Sequence, residues 1–416
     1  MGLAKLLALR NHEVTFALSK KAREALITSY GHKFVSIESS RNSEDESQFL
    51  KCIQQSLNVF RLPLLETLNH PSKRMDIKII VDQEIELDEN FGKVLDKVKP
   101  EVIILDSIIP FPSVIKSNIP WVGVLSTNPL ALFKGDNLPP LGSGLSIDSP
   151  QETKSFFSQK MDELGNEAVQ RVKEYMIKKD CVILSDRLWN KSPYLNFYLY
   201  NQDLDYTDEG VIEKGYFRLE GAIRDSNDDS PFTLPKSLED KPGGLVYLSL
   251  GTLGSCDIDL MSNLVRVLSK SPHRFIVSTG PSHNQLKLGD NMWGQKYLDQ
   301  IKILPHVDLV ITHGGNNTFN ECLYFAKPMI VIPLFYDQLD NAQRIVDKGL
   351  GIRLDTYNFK DEQLLDAIEV LMNDQTLRSK LESISQRMKS SKTKEKACDL
   401  IERLAKYKVS VYDYID

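Results

Sequence analysis

Strand-length runs of aliphatic and β-branched residues alternate with stretches of helical periodicity along most of this chain. In the first half the runs are EVTFAL, KFVSI, EVIILDS, IPWVGVLS and DCVILSD, each parted from the next by enough residues to form a helix. Strands spaced by helices are the signature of parallel βαβ units, which predicts a doubly wound α/β domain. The opening MGLAKLLALRNHEVTF places Leu3, Leu6, Leu7 and Leu9 on a helix that runs into a strand.

The stretch EGAIRDSNDDSPFTLPKSLEDKPGG breaks this alternation with Asp, Ser, Pro and Gly, and reads as an interdomain connection. Beyond it GLVYLSLG, HRFIVSTG, QIKIL, VDLVIT, PMIVIPL and GIRLD restart the pattern, so a second parallel α/β domain is expected. From about Asp361 the pattern turns helical, with Leu364, Leu365, Ile368 and Leu371, then Leu381, Ile384 and Met388, then Ala397, Leu400, Ile401 and Leu404 on recurring faces. These signals divide the chain into an N-terminal domain over 1–215, a connection over 216–243, a C-terminal domain over 244–395 and a helical tail over 396–416.

Composition narrows the class without changing that layout. A chain of 416 residues exceeds one ordinary core, and 41% hydrophobic with 26% charged residues is the balance of a soluble globular protein. A net charge of −6 argues against nucleic acid or an anionic membrane surface as the main partner. The five cysteines are scattered and never spaced as CxxC, a pattern of thiols in a reducing compartment, so a cytoplasmic location is expected. No apolar run approaches the ~18 residues a membrane span needs.

The chemistry concentrates in YLDQIKILPHVDLVITHGGNNTFNECLYFAKPMIVIPLFYDQLDNAQR. Its middle is a buried strand, a glycine turn and a helix. A glycine turn at the carboxyl end of a parallel strand gathers free backbone N–H groups and the positive helix end at one point, where phosphate is the expected guest. The turn is neither GxGxxG nor GxxxxGK[ST], so dinucleotide and Walker-type readings lack their residues. It offers instead His313, Asn317 and Thr318 as donors towards a diphosphate and Glu321 as an acceptor for ribose hydroxyls. Taken singly, Asn317, Thr318 and Glu321 are ordinary helix-start residues, and Asp337 with Asp340 has capping-box spacing at the next helix.

This segment resembles the signature of the family 1 UDP-glycosyltransferases, two-domain enzymes of the GT-B fold, closely from Tyr297 to Arg344. The resemblance implies that the C-terminal domain binds a UDP-sugar and the N-terminal domain a small lipophilic acceptor with a hydroxyl group, with the tail packing back on the N-terminal domain. Tyr297 falls at the position that stacks on uracil, and Gln300 beside the nucleoside, although Asp299 replaces the usual proline. His313, Gly315, Asn317 and Thr318 match diphosphate contacts, Glu321 the ribose contact, and Asp337 and Gln338 the pair that binds sugar hydroxyls. Ser249, Gly251 and Thr252, in VYLSLGTLGS, match a loop near the donor phosphates. The implied activity is transfer of a hexose, with glucose the leading candidate, to the acceptor hydroxyl with inversion and without a metal or other cofactor. A detoxifying role follows from the resemblance alone.

Two spacings copy a metal-binding DxD, Asp203 to Asp205 and Asp257 to Asp259; each reads as a polar loop, since carboxylates two apart are common by chance. In the resembled family a histidine base ends the first strand, and an aspartate orients it. Asp106, at the end of EVIILD, matches the aspartate; a helix N-cap is its alternative reading. The opening residues resemble the family's first helix and second strand, so the first strand and its Gly-His loop are expected to lie before Met1. His12 sits at the wrong end of that helix, ~15 Å away for ~10 residues at ~1.5 Å each, and His32 precedes a strand instead of following one. A UDP-sugar- or small-molecule-binding protein without transferase activity is therefore carried as the alternative, and a nucleotide-sugar epimerase as a third.

Overall fold

The computed structural model describes residues 1–19, 23–39, 57, 59, 61–69, 77–182, 188, 191–226 and 230–415. In the N-terminal domain β1 (Thr15–Leu18) pairs in parallel with β2 (Lys33–Ser36). A second parallel sheet has the order β3 (Ile103–Leu105), β4 (Trp121–Leu125), β6 (Leu195–Tyr198), β8 (Tyr216–Arg218). The two-residue strands β5 (Phe133–Lys134) and β7 (Val211–Ile212) form a small antiparallel ribbon beside it. The helix Gly2–Leu9 runs into β1, as the opening periodicity predicts.

The C-terminal domain is one six-stranded parallel sheet. Its order is β11 (Met292–Gln295), β10 (Arg274–Ser278), β9 (Leu245–Ser249), β12 (Leu309–Thr312), β13 (Met329–Val331), β14 (Gly351–Arg353). Every residue of β9, β12 and β13 is buried. That matches their unbroken apolar runs, because a parallel sheet is covered by helices on both faces and leaves no polar side. The chain winds outward through β9, β10 and β11, then returns to β12 beside β9 and winds the other way. The order thus reverses between β9 and β12, whose last residues Ser249 and Thr312 are paired. In an open α/β sheet the crevice outside such a reversal is where ligands bind.

Three expectations are corrected here. The boundary drawn at 215/216 cuts through the N-terminal sheet, since Tyr216–Arg218 pairs with β6 and Phe217 and Leu219 are core residues. QIKIL is not a strand: Gln300–Ile303 is a short helix followed by a tight turn over Leu304–His306, because Asp299 starts it and Pro305 sits where a central strand would need an N–H. The helix expected to be capped by Asp337 begins with Asp337 itself and runs to Asp347, so this carboxylate is released from capping. The strand expected at DCVILSD lies, over 183–187, outside the described residues.

The helical tail forms Asp361–Asn373, Gln375–Ser390 and Thr393–Tyr407; Asp374 separates the first two and caps the second by accepting from the Leu377 N–H at 2.8 Å. The last helix leaves the C-terminal domain. Its Ala397, Cys398, Leu400, Ile401 and Leu404 pack with Leu7, Val122, Leu195, Phe197 and Phe217, tying the chain's end to the N-terminal sheet. Burial of this apolar seam favours the docking of the last helix on the N-terminal domain. Among the described residues no helix is long and apolar enough to cross a membrane.

Candidate donor and acceptor cleft

A cleft of about 620 Å³ opens where the carboxyl ends of the two sheets face each other. From the N-terminal side it is lined by Asp106 and Ser126, which follow β3 and β4. From the C-terminal side it is lined by Ser249, Gly251 and Thr252 after β9, by Tyr297 and Gln300, and by Asn317, Thr318 and Glu321 of the helix Asn316–Tyr324. Nine of the residues marked in the sequence therefore share one cavity, although they come from stretches more than two hundred positions apart.

Behind the cleft wall, the ends of β9 and β12 are built by close approach. The His313 ring is wedged between two glycines: a Cβ on Gly251 would stand 2.8 Å from Cε1 and Nε2, and one on Gly315 would stand 2.5 Å from Nε2. Gly251 also holds φ +68°, a conformation that costs an L-residue with a side chain about 1–2 kcal/mol. Removal from water pushes the His313 pKa down to about 4, against the opposing pull of the Ser249 backbone. The imidazole is therefore neutral at pH 7, with a single N–H to donate. Gly315 is the N-cap of the helix Asn316–Tyr324, and the first N–H groups of that helix have no intrahelical partner.

The helix is anchored across the cleft by a residue the sequence reading passed over. Asn316 Nδ2 donates to the carbonyls of Ser126 at 2.9 Å and Leu199 at 2.8 Å, both in the N-terminal domain. No sequence signal marked it, because its partners are backbone atoms of a distant sheet. One turn on, Glu321 is buried, and its pKa is raised by loss of water against the pull of Arg224 and Gln300. Gln300 Nε2 donates to Glu321 Oε2 at 2.5 Å and to Thr318 Oγ1 at 3.2 Å. Tyr297 stands 55% exposed at the cleft mouth. Lys296 Nζ sits 5.3 Å from that ring's centroid.

Asp337 and Gln338 do not line the cleft. Asp337 Oδ2 accepts from the Asn128 backbone N–H at 3.2 Å, and Gln338 Oε1 accepts from the Leu334 and Phe335 N–H groups at 3.0 and 3.4 Å. Both are buried, and burial pushes the Asp337 pKa up to about 6. Their expected place on sugar hydroxyls is occupied by protein contacts in this arrangement of the domains.

On the acceptor side Asp106 is not a helix cap: the next helix, Pro112–Lys116, starts six residues on with Phe111 at its N-cap. Asp106 Oδ1 accepts from Ser126 Oγ at 2.9 Å, and burial raises its pKa. Neither histidine weighed from the sequence reaches the cleft. His12 pairs with Glu402 at 3.0 Å, and His32 is buried with its ring 5.4 Å from that of Phe16. The DxD carboxylates are engaged with cations. Asp203 meets Arg387, Asp205 meets Arg218 at 2.6 Å, and Arg61 bridges Asp257 at 2.6 Å and Asp259 at 2.9 Å. Among the described residues no cluster of three or more His, Cys, Asp or Glu side chains is arranged to hold a metal ion.

Two α/β domains facing a cleft, with the sheet ends converging on it, define the class: this is the GT-B glycosyltransferase fold. Solved structures agree over nearly the whole chain. The glycosyltransferase of kitacinnamycin superposes with a TM-score of 0.69 over 97% of this chain and 94% of that one at 18% identity. The glycosyltransferase VinC, solved in complex with DTDP, does so with 0.61 over 97% and 95% at 15% identity. Residues 235–396 match the family described as UDP-glucoronosyl and UDP-glucosyl transferase. An uncharacterized UDP-glucosyltransferase, YojK of Bacillus subtilis, is 27% identical over 44% of this chain and 45% of its own length. The human UDP-glucuronosyltransferase 2B10 is 30% identical over 36% and 30%. The matches thus span less than half the length of these relatives. The chain is therefore similar to UDP-glycosyltransferases over its C-terminal domain and has the GT-B fold over nearly its whole length.

Proposed function

We propose that this protein binds a UDP-sugar, with UDP-glucose the leading candidate, and transfers the hexose with inversion to the hydroxyl of a small lipophilic acceptor. The observation that carries the reading is the pocket at the sheet reversal: His313 wedged between Gly251 and Gly315, an uncapped helix N-terminus beside it, and Glu321 one turn along. Backbone N–H groups and the helix dipole there favour a diphosphate, Glu321 suits the ribose diol, and the exposed aromatic ring of Tyr297 suits the uracil. In the transfer, the acceptor oxygen bonds to the anomeric carbon as the bond from that carbon to the phosphate oxygen breaks. UDP leaves with the electron pair, and the acceptor proton passes to a base. No cofactor enters this reading, and helix N–H groups in place of a metal would steady the leaving diphosphate.

Asp106 stands on the acceptor side of the cleft, where the resemblance assigns an aspartate that orients a histidine. Its partner here is Ser126, and among the described residues no histidine lines the cavity. That favours a second reading, donor binding without efficient transfer. Incubation with UDP-glucose and a panel of phenols and other hydroxylated apolar compounds separates the two: a glycoside product supports transfer, and calorimetric UDP binding without product supports the second. Absence of UDP binding, or UDP binding unaffected by His313→Ala, overturns the donor-site assignment on which both rest.

A further inference from the structure

Arg224 lies in the connection that the sequence reading treated as a linker, yet it lines the cleft. Its Nε donates to Glu321 Oε1 at 3.3 Å, while the other oxygen, Oε2, takes the Gln300 amide. The pair is asymmetric: the Glu321 side chain is 7% exposed and that of Arg224 is 37% exposed. A cation at the cleft surface therefore leans on a carboxylate beneath it.

The consequence is chemical. A carboxylate with almost no water gains a proton readily unless a cation opposes it. Ionised, it has about four lone-pair sites, and Arg224 and Gln300 use two; protonated, it carries a hydroxyl and loses acceptor capacity. A ribose presents two neighbouring hydroxyls, both donors, whereas a 2′-deoxyribose presents one. The other groups around the carboxylate do not replace the cation. Asp299 works against ionisation and is held by Ser226 Oγ at 2.7 Å, Asp225 is paired with Lys5 at 2.9 Å, and the Tyr247 and Tyr30 phenols have raised pKa values.

We propose that Arg224 is a positioning residue that keeps Glu321 an ionised, fixed acceptor for the ribose diol, and so sets a preference for ribonucleotide over 2′-deoxyribonucleotide donors. This rests on Glu321 being the ribose contact of the donor site proposed above. It gives the connection between the domains a part in reading the donor.

Calorimetric titration with UDP and with 2′-deoxy-UDP tests it on the unsubstituted chain and on R224Q, R224K and E321Q. A hydrogen bond to a charged group corresponds to about a tenfold or larger preference for UDP in the unsubstituted chain. R224Q is expected to bring the two nucleotides within about threefold, mainly by weakening UDP, and R224K to restore part of the gap. Equal weakening of both nucleotides in R224Q would place the guanidinium on the diphosphate or base and overturn the proposal. So would an unchanged ratio in R224Q alongside a lost one in E321Q. No UDP binding at all, or an E321Q variant that keeps the preference, would instead overturn the ribose assignment of Glu321 and with it this inference.

Discussion

The His313 imidazole occupies the space that a side chain on Gly251 would need, 2.8 Å from where that Cβ would stand. The two residues end neighbouring strands, so the tight fit sets how far the β9 and β12 loops are apart at the point where the phosphate site is proposed. Gly251→Ala should push the ring aside and force an alanine into positive φ, costing about 1–2 kcal/mol locally. The expected outcome is a UDP affinity lowered by about tenfold or more with the fold retained, checked by calorimetry and circular dichroism. An affinity equal to that of the unsubstituted chain would separate His313 from donor binding.

The buried imidazole also gives a pH dependence of known sign. In the unfolded chain a histidine titrates near 6.5, whereas in the fold His313 is pushed down to about 4. Between these values the unfolded state binds a proton that the folded state refuses, so this residue's contribution is fully present above about pH 6.5 and is lost as pH falls towards 4. Denaturant titrations at a series of pH values should show His313→Gln losing stability less steeply over that window. A slope identical to that of the unsubstituted chain would mean the ring is protonated as easily in the fold as out of it.

A second cross-domain device lies behind the cleft. Arg344 is 1% exposed in the helix Asp337–Asp347 and reaches the N-terminal domain. Its Nε donates to the Leu204 carbonyl at 2.9 Å and Nη2 to Asp208 Oδ1 at 2.7 Å, and its guanidinium carbon lies 4.4 Å from the Tyr206 ring centroid. Arg344→Met should cost about 1–3 kcal/mol, because it strips partners from the buried carbonyls it caps, while Asp208 keeps Lys348. Arg344→Lys should recover only part, since an ammonium cannot present the planar fork. Urea unfolding checks both, and a loss below about 1 kcal/mol for the Met variant would show that water replaces the lost bonds.

Most of the architecture was legible in the chain. Fully buried parallel strands are written as unbroken apolar runs, and β9, β10, β12 and β13 were read correctly from them because nothing tertiary competes with so strong a signal. The short strands were not legible: Leu195–Tyr198 and Tyr216–Arg218 are too short to show a period and are strands because β4 offers the first an edge and the first offers one to the second. QIKIL misled for the opposite reason, since five residues with Ile301, Ile303 and Leu304 apolar satisfy a buried helix turn as well as a strand.

For the site, the chain by itself determined the chemistry available: a glycine turn opening a helix, a histidine before it, a carboxylate one turn on, and an aspartate ending a strand. Local sequence carries these because each depends on backbone conformation within a few residues. Only the tertiary structure decided which of them meet. It brought Asp106, Ser249, Gly251, Thr252, Tyr297, Gln300, Asn317, Thr318 and Glu321 to one cleft, set His313 and Gly315 behind its wall against Gly251, turned Asp337 and Gln338 to protein partners, and placed Arg224 on Glu321. Those outcomes rest on hydrogen bonds between residues tens to hundreds of positions apart, such as Asn128 with Asp337 and Asn316 with Ser126, whose geometry exists only once the two sheets face each other.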